Sequence, residues 1–296
     1  MSSSIDVLLP YYGDEELMHQ AVLSVIGQDR QDWRLLVLDD AYPHGNPGAW
    51  FASLADPRIH YRRNARNLGA NRNFQQALDL ADAPVVVIMG ADDIMLPSYL
   101  DEVLGLLDRY PQASVAQPGV SIIDGAGNPV TTVADTVKGW TMPHSRQPVL
   151  LTGETMAASL LRSGWHYFPS LAWRLETVRE LGFQSEYDVV QDLALLMDVA
   201  ADGGSIVVST GTTVFHYRRH GASDSSVRAT DGRRFDEERR FFRDQAERFT
   251  DLGWSRAAAA ARLHWTSRLH ALLLLLRSLP GTSPAGVRTL GRHVLT

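Results

Sequence analysis

The first hundred residues alternate between short apolar runs and stretches with helical spacing, and this alternation restricts the fold more than any other feature. Four apolar runs predict buried strands at 5–9, 34–38, 59–61 and 85–89. Between them, apolar residues in 15–26 and 71–80 recur every three or four positions, which predicts amphipathic helices. Strands that alternate with helices indicate a parallel sheet covered on both faces. The expected class is therefore α/β.

Polar side chains gather at the points where these predicted strands end. They are Tyr12 after the first strand, Asp39 and Asp40 after the second, and Asp92 and Asp93 after the fourth. Because a parallel sheet binds ligands at the carboxyl ends of its strands, we expect these residues to face one site.

Asp92 and Asp93 suit a divalent cation. Two carboxylates in a short loop supply the hard oxygen ligands that Mg²⁺ and Mn²⁺ prefer, and such a cation can bridge two phosphates. The pair also suits capping of the helix that opens near Pro97, and by itself it fits both interpretations equally well. Asp39 and Asp40 likewise fit either a contact with a base or ribose, or a simple turn.

The order of these motifs resembles the family 2 inverting glycosyltransferases. The segments that carry the resemblance are Leu9-Pro10-Tyr11-Tyr12-Gly13-Asp14-Glu15, Ser24-Val25 with Gln28, Leu38-Asp39-Asp40, Asn67-Leu68-Gly69 with Asn73, and Ala91-Asp92-Asp93 with Pro97. The similarity is close over the first hundred residues and looser up to about residue 225. It implies a GT-A fold, a mostly parallel nucleotide-binding sheet flanked by helices, with an acceptor-binding second half.

The resemblance also implies a domain organisation and a reaction. Residues 1–226 would form the GT-A domain, with 1–110 as the nucleotide-sugar half and 111–226 as the acceptor half, and 227–296 would form a helical C-terminal extension. The implied reaction moves a sugar, with inversion, from a nucleoside diphosphate-sugar to an acceptor hydroxyl, with Mg²⁺ or Mn²⁺ as cofactor. It would serve glycan, glycolipid or natural-product synthesis. UDP and TDP are the expected nucleotides, and the sugar and the acceptor stay open.

The resemblance assigns residues to the donor and to the metal. The donor-binding residues are Pro10, Tyr12, Glu15, Asp39, Asp40, Asn67, Asp92, Arg218 and Arg219, and the metal ligands are Asp92, Asp93 and His220. Either arginine of the segment 217–220 would clamp the diphosphate as charge develops on it. The polar run 221–226 would then form a lid. The other interpretation of this segment is an exposed basic turn.

Asp192 is the expected general base. Its segment, Tyr187-Asp188-Val189-Val190-Gln191-Asp192-Leu193, resembles the Glu-Asp segment that opens a helix in this family. An inverting transfer needs one carboxylate to take the proton from the acceptor hydroxyl. The alternative for Asp192 is favourable placement of a negative charge at a helix N-terminus. Asp188 is the second choice for the base.

Three residues depart from the family pattern. Gly90 stands where the family often has the first aspartate of an Asp-x-Asp-Asp loop, Gly13 replaces an asparagine, and Gln191 replaces a glutamate. Gly90 supports an alternative function, a nucleotide-sugar-binding subunit that has lost catalysis. Sugar nucleotidyl transfer is a weaker alternative, because residues 10–15 contain one glycine and no basic residue, unlike a glycine-rich phosphate loop.

Trp165, His166 and Tyr167 form an aromatic cluster in the second half of the chain. They are candidates for stacking on an acceptor sugar, although aromatic residues at this density more often build a core. The sequence by itself favours the core.

Composition and charge exclude several kinds of site and disfavour nucleic-acid binding. Without cysteine the chain has no disulfide, thiolate metal site or cysteine nucleophile. The net charge is −6, yet six arginines and no acidic residue follow Asp251, so the body is acidic and general nucleic-acid binding is not expected. The N-terminus lacks a secretory signal pattern, so a cytoplasmic location is expected.

The C-terminal region has helical periodicity over 233–249 and 255–279. The second of these helices carries an apolar stripe formed by Trp265, Leu269, Leu272 and Leu276. Such a stripe suits packing onto the body of the protein or formation of a homodimer. The surrounding arginines suit peripheral contact with an anionic membrane.

Overall fold

The computed structural model describes residues 4–219 and 233–269. The described residues contain a nine-stranded sheet. Its strands are β1 (Ile5–Tyr11), β2 (Trp33–Asp39), β3 (Ile59–Arg63), β4 (Val85–Ile88), β5 (Ile94–Met95), β6 (Val115–Ile123), β7 (Val149–Thr152), β8 (Ala172–Arg174) and β9 (Ser205–Arg218). The α-helices are α1 (Glu15–Ile26), α2 (Gly48–Leu54), α3 (Ala70–Leu80), α4 (Tyr99–Arg109), α5 (Val133–Thr141), α6 (Gly153–Ser163), α7 (Leu175–Leu181), α8 (Gln191–Ala201), α9 (Arg233–Asp251) and α10 (Ser255–Leu263).

The sheet joins the two halves of the chain. Within the described residues its order is β3-β2-β1-β4-β8-β6-β9-β5, and β7 pairs with β9 outside this path. β1 is parallel to β2 and β4, β2 is parallel to β3, and β6 is parallel to β9. β8 runs antiparallel to both β4 and β6, and β9 runs antiparallel to β5 and β7. The expected parallel arrangement holds for the first four strands, and the complete sheet is mixed.

Helices cover both faces of the sheet. Successive side chains of a strand point to opposite faces, so Val7 and Leu9 of β1 pack in one core with α1 and α4. Leu8 points the other way, into a core that α3, α6 and α8 share. With both faces buried, a strand needs apolar side chains at every position, which explains the continuous apolar runs in the sequence.

The segments 120–124 and 129–133 flank Gly125-Ala126-Gly127-Asn128, a pattern that predicts a β-hairpin, and this hairpin forms only in part. The turn exists, because the backbone N–H groups of Asp124 and Asn128 join its ends and Ile123 bridges to Pro129. The second strand does not form, and the expectation for 129–133 was wrong. Thr132 caps α5 instead: its Oγ1 accepts from the N–H of Asp135 at 3.2 Å and donates to that carboxylate at 2.5 Å.

The C-terminal helices α9 and α10 pack on each other, and α10 also packs on α6. This agrees with the expected helices, although α10 ends at Leu263, and His264 follows with a positive φ of 22°. Trp265 and Leu269 of the predicted stripe are exposed, and Leu272 and Leu276 lie outside the described residues. In the described ranges no helix combines the length and apolar character needed to cross a membrane. The homodimer, the membrane contact and the domain boundaries stay predictions.

Gly119 lies at a close approach of β6 and β9. The pairing of these strands shifts register on both sides of Gly119. A Cβ built at Gly119 would overlap the carbonyl oxygen of Thr212 and lie 2.8 Å from its carbonyl carbon. Since both obstructing atoms belong to the backbone, no side-chain rotation can relieve the overlap.

We therefore expect Gly119→Ala to destabilise the protein by about 2 kcal/mol or more, because strands β6 and β9 must move apart. The measurement is the urea midpoint followed by circular dichroism. Gly211→Ala is the matched control in the same strand pair, since a Cβ there meets no atom within 4 Å. Equal midpoints for the two variants would contradict the close approach.

Candidate active site

A buried carboxylate lies in the loop that follows β4. Asp93 is 1% exposed, and its Oδ1 accepts the backbone N–H of Arg218 at 2.8 Å. Its Oδ2 is buried without a hydrogen-bond partner. Burial, and then the charge of Asp92, raise the pKa of Asp93 well above its ordinary range. A buried oxygen without a partner is costly unless a ligand satisfies it.

Gly90 leaves space for both carboxylates of this loop. A Cβ at Gly90 would lie 2.5 Å from Oδ2 of Asp93 and 3.1 Å from Oδ1 of Asp92. The two side chains therefore converge on the space that a larger residue would fill. This arrangement is a physical reason for glycine at the position where the family often has an aspartate.

Arg218 holds the Asp92–Asp93 loop in place. Its guanidinium is buried, and it donates to the carbonyl of Asp92 at 2.6 Å, to the carbonyl of Gly125 at 3.1 Å and to Gln20 at 2.9 Å. The side chain thus joins the loop to α1 and to the turn after β6. To clamp a diphosphate, as predicted, it would have to exchange some of these partners.

The second predicted arginine is paired with α5. Arg219 donates to Asp135 at 2.7 Å, and its guanidinium lies 5.3 Å from the centre of the Tyr217 ring. His220, the third predicted metal ligand, and the predicted lid at 221–226 lie outside the described residues. Among the described residues, no three His, Cys, Asp or Glu side chains form a cluster that could hold a metal ion.

The two aspartates that end β2 anchor neighbouring loops. Asp39 is fully buried and accepts from the N–H of Tyr42 at 3.0 Å, the hydroxyl of Tyr61 at 2.6 Å and Arg63 at 3.0 Å. These contacts agree with the turn interpretation. Contact of Asp39 with a nucleotide base stays a prediction.

Asp40 has a similar structural role one residue later. It accepts from the side-chain amide of Asn64 at 2.9 Å and from the N–H groups of Leu68 and Gly69 at 2.8 and 2.9 Å. Asn67 is exposed and also accepts from the N–H of Gly69, at 2.9 Å. The predicted donor residues Asp40 and Asn67 therefore shape one loop beside the end of β2.

An aromatic surface lies at the ends of β1 and β2. Tyr12 is 53% exposed, and its ring meets the edge of Tyr42, with 5.2 Å between the ring centres. Pro10 lies at the end of β1, and Glu15 begins α1 beside it; both are partly buried. Three predicted donor residues thus share one end of the sheet.

Asp192 lies in the first turn of α8, as predicted. Its side chain is 28% exposed, its Oδ2 lies 3.0 Å from Nε2 of His166, and its Oδ1 accepts the N–H of Leu193 at 2.7 Å. Burial acts to raise the pKa of Asp192, but its interactions with His166, the N–H of Leu193 and Lys138 together hold the pKa below its ordinary value. The carboxylate is therefore ionised at neutral pH and can accept a proton.

The aromatic cluster at 165–167 belongs to the interior. Trp165 is fully buried, His166 is 5% exposed and Tyr167 is 7% exposed. The core interpretation, which the sequence favoured, is the one observed. The contact of His166 with Asp192 had no signal in the sequence.

Tyr217 interacts electrostatically with the predicted base and with the aspartate pair. Burial raises the pKa of Tyr217 to about 12, and the charges of Asp93, Asp92 and Asp192 add to this shift against the opposing charge of Arg219. The predicted base and two of the predicted metal ligands, Asp92 and Asp93, therefore lie within electrostatic range of one phenol group.

Comparison with known proteins places the chain in a family. The family model described as glycosyl transferase family 2 matches residues 6–159, which is more than half of the chain. This chain belongs to glycosyl transferase family 2. The matched residues include the Asp92–Asp93 loop and end before Asp192.

Curated relatives match the chain in part. The putative colanic acid biosynthesis glycosyl transferase WcaA of Escherichia coli is 30% identical over 97 residues, which cover 32% of this chain and 35% of WcaA. Abequosyltransferase RfbV of Salmonella typhimurium is 30% identical over 109 residues, which cover 33% of this chain and 32% of RfbV. The chain thus spans about a third of the length of these relatives.

A solved structure resembles this chain over nearly its whole length. The crystal structure of S. aureus TarS 1–349 in complex with UDP-GlcNAc has a TM-score of 0.68 at 14% sequence identity. The similarity covers 99% of this chain and 80% of the TarS chain. At this identity the comparison establishes the fold, which is the GT-A fold expected from the sequence.

The helix that carries Asp192 is held from two sides. Oε1 of Glu237, on α9, accepts the N–H groups of residues 188, 189 and 190 at 3.0, 2.6 and 3.0 Å. Asn71, at the start of α3, donates to the carbonyl of Tyr187 at 2.6 Å and lies 3.3 Å from Asp188. Glu237 and Asn71 are site-building residues that the sequence did not indicate.

We expect Glu237→Ala to lower the melting temperature by several degrees and to reduce turnover of a nucleotide-sugar, because three N–H groups before α8 lose their acceptor. Loss of these bonds corresponds to about 1–2 kcal/mol. The measurements are thermal unfolding and release of the nucleoside diphosphate. Glu247→Ala, at an exposed position of the same helix, is the control. Indistinguishable behaviour of the two variants would show that α9 does not support the site.

Proposed function

We propose that this protein transfers a sugar, with inversion, from a nucleoside diphosphate-sugar to an acceptor hydroxyl. One observation carries the proposal. Asp192, which is ionised and partly exposed, and the aspartate pair Asp92 and Asp93 all interact electrostatically with Tyr217. Membership of family 2 supports sugar transfer. The UDP-GlcNAc complex of TarS, which has the same fold, supports a nucleotide-sugar donor.

Asp92 and Asp93 would hold Mg²⁺ or Mn²⁺. Oδ2 of Asp93 has no hydrogen-bond partner, and both carboxylates face the space at Gly90, so their position fits a cation. Mg²⁺ commonly takes one or two protein carboxylates and completes its shell with phosphate oxygens and water. When bound, the cation would neutralise charge on the departing diphosphate.

Asp192 would act as the general base. Its carboxylate would take the proton of the acceptor hydroxyl while the hydroxyl oxygen attacks the anomeric carbon and the bond to the diphosphate breaks. Attack from the side opposite the diphosphate inverts the anomeric centre. The low pKa keeps Asp192 ionised and ready for the proton at neutral pH.

Tyr12 and its neighbours would bind the nucleotide. The exposed ring of Tyr12 offers a surface on which a base can stack, and it packs nearly perpendicular to the ring of Tyr42. The bound base would then lie above the loops that Asp39 and Asp40 anchor. A uridine or thymidine diphosphate-sugar remains the expected donor.

Two alternative functions differ from sugar transfer in what they would release from the donor. A nucleotide-sugar-binding subunit without catalysis would bind the donor and release nothing, and a sugar nucleotidyltransferase would release pyrophosphate. The steric fit of Gly90 with the two aspartates weakens the argument for a lost catalytic site. Release of a nucleoside diphosphate from the donor would separate sugar transfer from both alternatives.

The first test is calorimetric titration of UDP, TDP, GDP and CDP, each with Mn²⁺ and with EDTA. We expect one diphosphate to bind only with the metal, and Asp93→Asn to weaken this binding at least about tenfold, because a ligand carboxylate is lost. Asp108→Asn, at an exposed position of α4, is the control. Failure of all four nucleotides to bind the folded protein would remove the proposed function.

Asp192→Asn tests the base. The variant should lose about 10²–10⁴-fold in kcat, because no carboxylate remains to take the proton, while the calorimetric affinity for the nucleoside diphosphate should stay unchanged. Asp202→Asn, at the exposed far end of α8, should behave as the wild type. Turnover by Asp192→Asn close to the wild-type rate would mean that another residue is the base.

A further inference from the structure

Asp192 and His166 form a pair whose members differ in access to solvent. Nε2 of His166 lies 3.0 Å from Oδ2 of Asp192. The Asp192 side chain is 28% exposed, whereas the His166 side chain is 5% exposed. A substrate hydroxyl can therefore reach the carboxylate and cannot reach the buried imidazole. Asp192 is the member of the pair that would meet the acceptor.

The two ring nitrogens of His166 have different surroundings, and these place the ring proton. Nδ1 is buried and has no hydrogen-bond partner. A proton on Nδ1 would be a buried donor without an acceptor, and it would leave Nε2 as a bare acceptor facing the ionised carboxylate of Asp192, whose oxygens can only accept. A proton on Nε2 instead donates to Oδ2 of Asp192.

The backbone on either side of His166 is firmly held. Its own carbonyl accepts from Nζ of Lys138, on α5, at 2.7 Å. The N–H of the next residue, Tyr167, donates to the buried side chain of Gln117, on β6, at 3.0 Å. The backbone at His166 is thus attached to α5 and to the central sheet, and the imidazole itself is buried.

Trp165 adds a third attachment on the other side. Its ring is fully buried, and its Nε1 donates to Oγ of Ser159, on α6, at 3.1 Å. A hydrogen-bond donor fixed in this way can select one rotamer of a neighbouring acid. Preorganisation of this kind is worth more in a reaction than the same bond made by a mobile side chain.

We propose that His166 is a positioning residue that holds the carboxylate of Asp192 in the orientation needed to take a proton from the acceptor. This role rests on the proposed transferase function. The Nε2–H group occupies one lone pair of Oδ2, and the N–H of Leu193 occupies one of Oδ1. Because a carboxylate has about four lone-pair sites, sites remain for the acceptor hydroxyl.

Loss of His166 would change two properties of Asp192. The carboxylate would rotate more freely, so kcat would fall while KM for the donor would change little. The ionised form would also lose a hydrogen bond that favours it, so the acid limb of the kcat profile would move to higher pH. Lys138 of α5 and Tyr217 of β9, the other titratable groups that interact with Asp192, are unchanged in the variants below.

The test compares His166→Phe with His166→Gln in the full chain, using UDP release from UDP-GlcNAc and Mn²⁺ with water as acceptor. The donor is replaced by the cognate one if calorimetry selects another nucleotide. Phenylalanine fills the space without a donor, whereas the glutamine amide can donate from nearly the same place. We expect a loss of about 10–100-fold in kcat and a raised acid limb for Phe, and a substantial rescue by Gln.

Two controls separate positioning from stability. His60→Gln, at an exposed position of β3, should leave kcat and the pH profile unchanged. Melting temperature and nucleoside diphosphate affinity should be similar in all variants that fold. Full activity of His166→Phe, or equal losses for Phe and Gln without a shift of the acid limb, would overturn the role of His166.

A second measurement does not depend on turnover. In long-range ¹H–¹⁵N spectra of histidine rings, the signals lost in His166→Gln identify His166, and at neutral pH they should report a proton on Nε2 and none on Nδ1. Asp192→Asn should shift the Nε2 signal. A proton on Nδ1, or no response to Asp192→Asn, would overturn the pairing even if the enzyme is active. If no nucleotide binds the wild type, the transferase function fails, and the role of His166 fails with it.

Discussion

The site depends on one buried guanidinium. Arg218 joins β9 to the loop after β4 through its backbone N–H, which binds Asp93, and through its side chain, which binds the carbonyl of Asp92. The same side chain reaches Gln20 on α1 and the turn after β6. A guanidinium has five donors in a rigid plane, so a single arginine can fix the relative positions of elements that are far apart in the chain.

The carboxylates of Asp93 and Asp192 differ in pKa because their surroundings differ. Asp93 is buried beside Asp92, and its pKa is raised because the charged form has lost water and gained a like charge. Asp192 also loses water, but its interactions with His166, Leu193 and Lys138 together lower its pKa. A bound cation would therefore stabilise the charged form of Asp93, whereas Asp192 is already ionised and can accept a proton. Different environments assign different chemistry to the same side chain.

The second half of the chain supplies residues that hold the site in place and have no proposed part in the reaction. α5 contributes Asp135, which pairs with Arg219, and Lys138, which holds the carbonyl of His166. α9 contributes Glu237, which holds three N–H groups before α8. The base is thus kept in place by helices from both ends of the second half. The C-terminal helix α9 is part of the site even though it lies outside the sequence match to the family.

The sequence by itself determined strands β1 to β4 and helices α1 and α3 of the nucleotide half, the loop with Asp92 and Asp93, and the place of Asp192 in the first turn of α8. These follow from apolar periodicity and from motifs whose residues are close in the chain, so local patterns carry them. The strands β5 and β7 and the helices α2 and α5 are too short to give a clear period. Only the tertiary structure decided which side chains meet. His166 lies 26 residues from Asp192, and Arg218 lies 125 residues from Asp93. A periodic pattern indicates that a side chain is buried, but the partner it meets depends on how distant strands and helices pack.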